Sequence, residues 1–255
     1  MLKGAVKLSS DSIGYTARVI RSDGQIISWG YGGYGELGNN TNSSGIAQAN
    51  LSGKRALYVK GGYYNAAAIT TDGDVLVWGY ANEGTLGRDD DKTTLTVPTK
   101  NEGYSKKTFV AEGETEETTI SPVTLDISRI SMVRFSDGTV KTAGPQGVAG
   151  LGRGAYTADT TVEDNVAFGK IGTVHAGKSG EAGEYLSDII SISTSNGENY
   201  SSYAIKENGT IWSWGYNGFY QLGDDTPTDR NEPVRVGKSY LSINPYLYSF
   251  KVGDT

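Results

Sequence analysis

Aromatic side chains are concentrated directly after the Trp-Gly pairs of this chain, and they are the residues best suited to binding chemistry. They fall where a predicted strand exits into a loop. Tyr combines a large contact area with a hydroxyl tip that can hydrogen-bond, which suits protein or sugar surfaces. The alternative is that individual rings only wedge neighbouring sheets apart. As a set they are the predicted binding residues: Tyr31, Tyr34, Tyr80, Tyr216, Phe219 and Tyr220.

The side chains available for catalysis are few. The chain has no Cys and a single His, His175, which excludes disulfides, thiol nucleophiles and Cys/His zinc sites. A lone His in a polar insertion cannot form a Ser-His-Asp relay without a well-placed nucleophile. The run Gly30–Gly35 matches G-x-G-x-x-G, but no helical pattern follows it, so a dinucleotide site is not expected. The sequence predicts a protein that is not an enzyme and binds no cofactor.

Acidic residues form two kinds of cluster. Asp89–Asp91 and Asp224–Asp225 follow Leu-Gly pairs and could offer oxygen ligands to calcium, but charged loop tips are the preferred interpretation, and no metal site is predicted. A second group lies in a mixed-polarity segment predicted to be a solvated loop: Glu112, Glu114, Glu116 and Glu117. A glycosidase needs two carboxyl groups about 5 to 10 Å apart in a cleft, and sequence does not select such a pair. Glycan cleavage stays an alternative.

Composition and charge narrow the class of protein. The 255 residues include 36 Gly, 17 Tyr and only 6 Pro, which favours many short strands joined by tight turns. The net charge of −6 repels phosphate backbones, and no basic stripe is present, so no nucleic-acid partner is expected. No stretch approaches the roughly 18 apolar residues of a membrane span, and the N-terminus lacks the apolar run of a signal peptide. We expect an all-β protein without a membrane span.

One pattern recurs four times without gaps. It reads SDGQIISWGYGGYGELG from Ser22, TDGDVLVWGYANEGTLG from Thr71, SDGTVKTAGPQGVAGLG from Ser136 and ENGTIWSWGYNGFYQLG from Glu207. Each Asp-Gly or Asn-Gly pair precedes a Leu by 14 residues. Such pairs supply the positive φ angles of a two-residue hairpin turn. Strand-like stretches also precede each hairpin: AVKLSS, ALYVKGG, TLDISRI and DIISIST.

Repeated small antiparallel sheets must pack face to face to bury their apolar sides, and around a ring this gives a β-propeller. The Trp and Leu positions are expected to fill the layers between blades. The repeat positions are Gly24, Trp29, Gly30, Leu37, Gly73, Trp78, Gly79, Leu86, Gly138, Gly144, Leu151, Gly209, Trp214, Gly215 and Leu222. In the third repeat, Ala143-Gly144 replaces Trp-Gly.

This signature resembles the regulator-of-chromosome-condensation repeat over roughly residues 5 to 237. The resemblance implies a propeller over 1–240, with repeats around 5–50, 51–110, 120–165 and 185–237, and a closing segment at 241–255. Family propellers commonly have seven blades, whereas four are clear here and Tyr246–Val252 suggests part of a fifth. A small ring, an open ring and a ring completed by a partner stay open as alternatives. Unpaired edges favour self-association, with Leu2–Leu8 and Tyr246–Val252 as closing strands.

The fold alone does not fix the function. The lack of Cys, the Gly/Tyr/Asn/Ser/Thr-rich composition and the small number of blades favour a bacteriophage virion component, such as a tail, fibre or head-decoration protein. Its expected partners are a host protein or cell-surface glycan, neighbouring virion subunits or a second copy, and its expected location is the virion. The alternatives are an extracellular bacterial propeller that binds proteins as an adhesin or enzyme inhibitor, and a glycan-cleaving virion enzyme. The acidic charge argues against the family's GTPase-exchange activity.

Overall fold

The computed structural model describes residues 3–11, 13–81, 84–87, 94–111, 113–144, 149–152, 169–170, 186–195 and 200–237. Within these ranges the chain forms strands, turns and short 3-10 turns such as Ala149–Leu151, and no α-helix. No helix in the described part of the chain is long and apolar enough to cross a membrane. The all-β prediction is confirmed.

Four sheets of four antiparallel strands form the blades, each with its strands in chain order. The first blade holds β1 (Ala5–Ser10), β2 (Thr16–Arg21), β3 (Ile26–Gly30) and β4 (Gly45–Gln48). The second holds β5 (Ala56–Gly61), β6 (Asn65–Thr70), β7 (Val75–Gly79) and β8 (Leu95–Asn101), and a separate hairpin of β9 (Lys107–Val110) and β10 (Glu117–Ile120) follows it. The third holds β11 (Pro122–Ile127), β12 (Ser131–Phe135), β13 (Val140–Ala143) and β14 (Gly169–Lys170). The fourth holds β15 (Ile189–Thr194), β16 (Ser201–Lys206), β17 (Ile211–Gly215) and β18 (Arg230–Arg235).

The predicted turn pairs connect the second and third strands of each blade. In the second blade Gly73 has a φ of +84°, and its N–H donates to the Thr70 carbonyl at 3.0 Å. In the first, third and fourth blades the Asp or Asn before the glycine accepts the backbone N–H two residues later, as Asp23 does from Gln25 at 3.0 Å. In the second blade the Asp74 N–H donates to Thr70 Oγ1 at 3.0 Å instead. Local hydrogen bonds therefore set the hairpin before any packing between blades.

The core lies in the layers between successive blades. The first strands of neighbouring blades lie side by side, and the apolar faces of the sheets pack on one another. Ile20 and Ile26 pack with Ala66, Ala68 and Trp78 between the first two blades. Met132 and Val140 pack with Ile189, Ala204 and Trp214 between the last two. This stacking is the predicted propeller arrangement.

A single contact repeats at two of the three boundaries between described blades, and we refer to it as the joint. The Trp78 indole N–H donates to the Glu36 carbonyl of the first blade at 2.9 Å. The Trp214 indole donates to the Gly150 carbonyl of the third blade at 2.8 Å. Both rings are fully buried, and both acceptors directly precede a repeat Leu. The repeat Trp and Leu thus hold neighbouring blades together.

The degenerate third repeat is compensated by Tyr104. Its ring is buried in the same apolar cluster as Ala143 and Leu86, between the second and third blades. Its hydroxyl lies 2.9 Å from Ser131 Oγ. A Tyr from the connection between blades therefore fills the layer where the repeat lacks an indole.

Two expectations need correction. Trp29 was expected to lie between blades like the other repeat Trp residues, but it is only half-buried, because no described sheet precedes the first blade. The acidic segment was expected to be a loop, but Glu117 begins strand β10. Glu114, Glu116 and Glu117 are exposed, whereas Glu112 lies outside the described residues.

The ring is not closed within the described residues. Within the described part of the chain, no strand of the first blade pairs with a strand of the fourth. β1 pairs with β2 as an ordinary first strand of the first blade. Tyr246–Val252 and the rest of 241–255 lie outside the described residues.

Candidate functional site

Each regular blade brings two aromatic residues together at the same end of the sheet. The residue after Trp-Gly donates its backbone N–H to the carbonyl of the residue that precedes the second strand. The N···O distances are 3.0 Å from Tyr31 to Tyr15, 2.8 Å from Tyr80 to Tyr64, and 3.3 Å from Tyr216 to Tyr200. One face of the propeller therefore carries a Tyr pair from the first, second and fourth blades.

The glycine of the Trp-Gly pair makes this close approach feasible. A Cβ at Gly30, Gly79 or Gly215 would lie 2.1, 2.4 or 1.9 Å from the carbonyl oxygen of the facing Tyr. The φ angles of these glycines, +117°, +95° and +108°, are also unfavourable for other residues. The repeat glycine is required because it lets the backbone of two tyrosines meet.

Six tyrosines from the first two blades form one continuous cluster, which we name the tyrosine face. Tyr64 lies at its centre, with ring centroids 4.9 Å from Tyr34, 4.8 Å from Tyr63 and 5.9 Å from Tyr15. Tyr34 also lies 5.1 Å from Tyr80. Most pairs are tilted or edge-to-face, the geometry favoured by aromatic quadrupoles. The members are Tyr15, Tyr31, Tyr34, Tyr63, Tyr64 and Tyr80.

Arg129 extends this face across the third blade to the fourth. Its guanidinium lies 4.5 Å from the centroid of the Tyr63 ring, and its Nη1 donates to the Tyr200 hydroxyl at 3.2 Å. In the fourth blade, Tyr216 and Phe219 form a separate pair with centroids 6.1 Å apart. Stacking and hydrogen bonding by one cation thus connect aromatic residues of different blades.

Exposure distinguishes a contact surface from a core. Tyr15, Tyr31 and Tyr34 are 54%, 42% and 37% exposed, although each makes contact with neighbouring rings. Tyr63, Tyr64 and Tyr80 are half-buried beneath or beside them. The exposed rings are therefore held in place by other rings while still presenting area to a partner.

The electrostatics of the face are those of neutral hydroxyls beside one fixed positive charge. Desolvation and the neighbouring tyrosines raise the pKa of Tyr64, so its hydroxyl remains protonated at neutral pH. Partial burial lowers the pKa of Arg129, but the hydrogen bond to Tyr200 and the contact with Tyr63 outweigh it, so the net pKa is raised. The face can donate hydrogen bonds and carries a cation.

Buried charged groups beneath the face position two of its tyrosines. The Asp11 carboxylate accepts the N–H of Tyr15 at 2.9 Å, and Glu36 Oε2 accepts the N–H of Tyr34 at 2.8 Å. Arg18, which lies between Asp11 and Glu36 in the sequence, is fully buried. Burial lowers the pKa of its guanidinium to about 10. Burial also raises the pKa of Glu36. Because Glu36 is fully buried and bonded to backbone, it cannot reach a substrate as a general acid.

The structure brings together only part of the predicted binding set. Tyr31, Tyr34 and Tyr80 belong to the tyrosine face, and Tyr216 pairs with Phe219 in the fourth blade. Tyr220 is exposed, at a φ of +62°, and contacts no other ring among the described residues. The role of all six in binding stays a prediction.

Sequence analysis missed five residues of this surface. A constant spacing could have found most of them: Tyr15, Tyr64, Arg129 and Tyr200 each stand 15 positions before the repeat glycine. The missed residues are Tyr15, Tyr63, Tyr64, Arg129 and Tyr200.

The acidic candidates do not form a described metal centre. Asp224 accepts hydrogen bonds from Asn217 Nδ2 at 2.9 Å, Thr226 Oγ1 at 3.0 Å and Arg230 Nε at 2.6 Å, and so orders its own loop. The Arg230 pairing helps to keep the pKa of Asp224 low, although partial burial opposes it. Within the described ranges no three His, Asp or Glu side chains are grouped as metal ligands. His175 and Asp89–Asp91 lie outside the described residues.

Comparisons with known proteins agree with this architecture. A family model, the Regulator of chromosome condensation (RCC1) repeat, matches residues 208–243. Human WBSCR16 superposes with a TM-score of 0.67 at 17% identity, covering 92% of this chain and 54% of that one. The chain has the fold of an RCC1-type β-propeller.

Two yeast structures share the propeller. Prp20p of Saccharomyces cerevisiae, described with its binding to Gsp1p and histones, has a TM-score of 0.66 at 21% identity, over 91% of this chain and 50% of that one. Yeast RCC1 (Prp20) bound to Kap60 has a TM-score of 0.65 at 18% identity, over 91% and 48%. This RCC1-type propeller thus spans about half the length of the structures it matches. No curated protein matches it by sequence.

Proposed function

We propose that this RCC1-type propeller is a protein-binding module that contacts its partner through the tyrosine face. The observation that carries the proposal is the continuous cluster of six tyrosines with exposed Tyr15, Tyr31 and Tyr34. Tyr and Arg are enriched among the residues that dominate binding energy at protein interfaces. Rings already held by neighbours lose little side-chain freedom on binding.

The chemistry of the face favours a protein over a glycan. Carboxylates and amides are among the polar groups that pair with sugar hydroxyls and fix the orientation of a sugar. Two carboxylates beneath the face, those of Asp11 and Glu36, are buried and accept backbone N–H groups. Neutral tyrosines and the Arg129 cation suit a partner surface with apolar side chains and exposed hydrogen-bond acceptors. The partners named for the yeast neighbours, Gsp1p, histones and Kap60, are proteins, which supports the same class of partner.

The experiment compares wild type with Tyr31→Ala/Tyr34→Ala as immobilised bait in an extract of the source organism, with captured proteins quantified by mass spectrometry. Phe109→Ala is the matched control, because Phe109 is an aromatic residue 43% exposed on the separate β9–β10 hairpin. We expect a set of proteins retained by wild type and the control and reduced at least tenfold by the double variant. Equal retention of proteins by all three baits would contradict the proposal. Binding of wild type to a glycan array, lost in the Tyr31→Ala/Tyr34→Ala variant, would also contradict it.

The finer role that we propose is a bacteriophage virion component whose partner is a neighbouring virion subunit or a host surface protein. Its support is compositional: no Cys, many Gly and Tyr, and a chain made almost wholly of one repeat. Quantitative mass spectrometry of gradient-purified particles should find the protein in fixed proportion to the major capsid protein. Absence from such particles would refute the virion role and leave the protein-binding proposal standing.

A further inference from the structure

Among the described residues, no blade packs on the back of the first blade's sheet. Leu8 pairs with Val19, and the equivalent residue of the second blade, Val59, pairs with Ala68. Val59 is 5% exposed because the first blade covers it, whereas Leu8 is 73% exposed. Ile46, which pairs with Trp29 on the same face, is 77% exposed. The outer strands of this face have the residue types of a blade-to-blade layer with no described blade on them, whereas Val19 and Ile27 on the inner strands are 5% and 8% exposed.

No described blade covers the opposite face of the fourth blade. Ile20 and Ile26 flank the turn of the first blade and are 2% and 0% exposed beneath the second blade. The equivalent pair in the fourth blade, Ile205 and Ile211, is 37% and 44% exposed. The fourth blade therefore presents the complement of the face that the first blade presents.

The hydrogen bonds of the joint are incomplete at the same two places. The Glu36 carbonyl accepts Arg18 Nη2 from its own blade at 3.1 Å and the Trp78 indole from the next. The equivalent carbonyl of the fourth blade belongs to Gln221 and accepts the Tyr203 hydroxyl at 3.2 Å, from the position equivalent to Arg18. A carbonyl has two lone pairs, and no second donor to Gln221 is present among the described residues. The Trp29 indole likewise has no acceptor in this part of the chain.

We propose that two copies of this chain associate head to tail and close a ring of eight blades. The open face of the fourth blade in one copy packs on the open face of the first blade in the other. The Trp29 indole then donates to the Gln221 carbonyl of the second copy, which reproduces the joint formed by Trp78. Two identical contacts related by a two-fold axis leave no open end. Eight blades lie within the known range of propellers.

The mass of the purified protein in solution, measured by light scattering across micromolar concentrations, tests the proposal. We expect twice the chain mass of 27.1 kDa. Leu8→Asp and Ile205→Asp each place a charge on one open face and should halve the mass, because the closed ring uses both faces of every copy. Both side chains are exposed in the single chain, so the substitutions should leave its fold intact. Val110→Asp is the matched control, at an apolar residue 52% exposed on the β9–β10 hairpin, and should remain a dimer.

Mixing the two variants separates a head-to-tail contact from a symmetric patch. Leu8→Asp keeps an intact fourth blade and Ile205→Asp keeps an intact first blade, so an equimolar mixture should form a heterodimer through one normal joint. A monomeric wild type, a wild-type oligomer larger than a dimer, an Ile205→Asp variant that stays dimeric, or a mixture that stays monomeric would each overturn the proposal. Unchanged far-UV circular dichroism of each variant confirms that the mass reports association.

Discussion

Trp78 and Trp29 occupy the same position in two consecutive repeats, yet their surroundings differ. Trp78 is fully buried and donates to the Glu36 carbonyl of the preceding blade. Trp29 is half-buried and has no hydrogen-bond acceptor among the described residues. The difference shows that the repeat motif specifies half of a contact, and that the preceding blade supplies the other half. The energetic role of a repeat residue depends on its place in the stack.

Replacing the two Trp residues should give the largest contrast. Trp78→Ala removes a fully buried ring and should lower the free energy of unfolding by about 3 to 5 kcal/mol. Trp29→Ala should cost no more than about 1 kcal/mol when both are measured by urea denaturation in the Ile205→Asp background, where no second copy covers Trp29. Equal losses of unfolding free energy in Trp78→Ala and Trp29→Ala would contradict the difference between the two positions.

Glycine substitutions should instead affect both repeats alike, because the Trp-Gly glycine acts within its own blade. Gly30→Ala and Gly79→Ala should each cost about 2 kcal/mol or more, since each Cβ would collide with a Tyr carbonyl. Gly209→Ala, at a φ of +78° with open space around it, is the control and should cost about 1 kcal/mol. The same urea titrations measure all three. A Gly79→Ala loss no larger than that of Gly209→Ala would show that the close approach is not the cause.

Tyr104 allows a test of the boundary between the second and third blades, where the repeat supplies no indole. Tyr104→Phe keeps the buried ring and removes only the hydroxyl next to Ser131, so we expect a loss of about 1 kcal/mol in urea denaturation. The companion variant Ser131→Ala should cost a similar amount, and the double variant should cost less than the sum. Strict additivity would show that this hydrogen bond does not stabilise the packing between the second and third blades.

The rim of the first joint should contribute least. Lys54, in the connection from the first blade, lies 2.7 Å from Asp74 Oδ2 and also bonds Asp72. The hydrogen bond from Lys54 lowers the pKa of Asp72 to about 2. The stabilisation is therefore present above about pH 4 and is lost as pH falls through about 2. Lys54→Met should cost about 0.5 kcal/mol at pH 7, because the pair is exposed, and nothing near pH 2. A loss that does not change with pH would contradict the ionic cause.

The sequence predicted the blades more fully than their ends. The spacing from each turn pair to the repeat Leu located the hairpins, because these turns depend on local φ angles and Asx hydrogen bonds. The exposure of Trp29 was not predictable from the motif, since burial depends on a blade elsewhere in the chain. Tyr104 was missed for the same reason: it fills the layer over Ala143 from a connection outside the repeat.

The candidate site was predicted in part. Tyr31 and Tyr80 follow Trp-Gly, so the motif itself pointed to them, whereas Tyr15 and Tyr64 come from the preceding strand connection. These residues meet only because Gly30 and Gly79 let the two backbones approach. Arg129 occupies the equivalent position in the degenerate repeat. It was not predicted because Ala143-Gly144 replaces the Trp-Gly pair there.

Solvent exchange of the indole protons, followed by NMR of the ¹⁵N-labelled protein, tests the central claim that the joint is one repeated contact left open at Trp29. In the Ile205→Asp variant the account predicts protected indole protons at Trp78 and Trp214 and rapid exchange at Trp29. In wild type all three should be protected, because the second copy supplies the missing carbonyl. A Trp29 indole that exchanges as slowly as Trp78 in the Ile205→Asp variant would contradict the account.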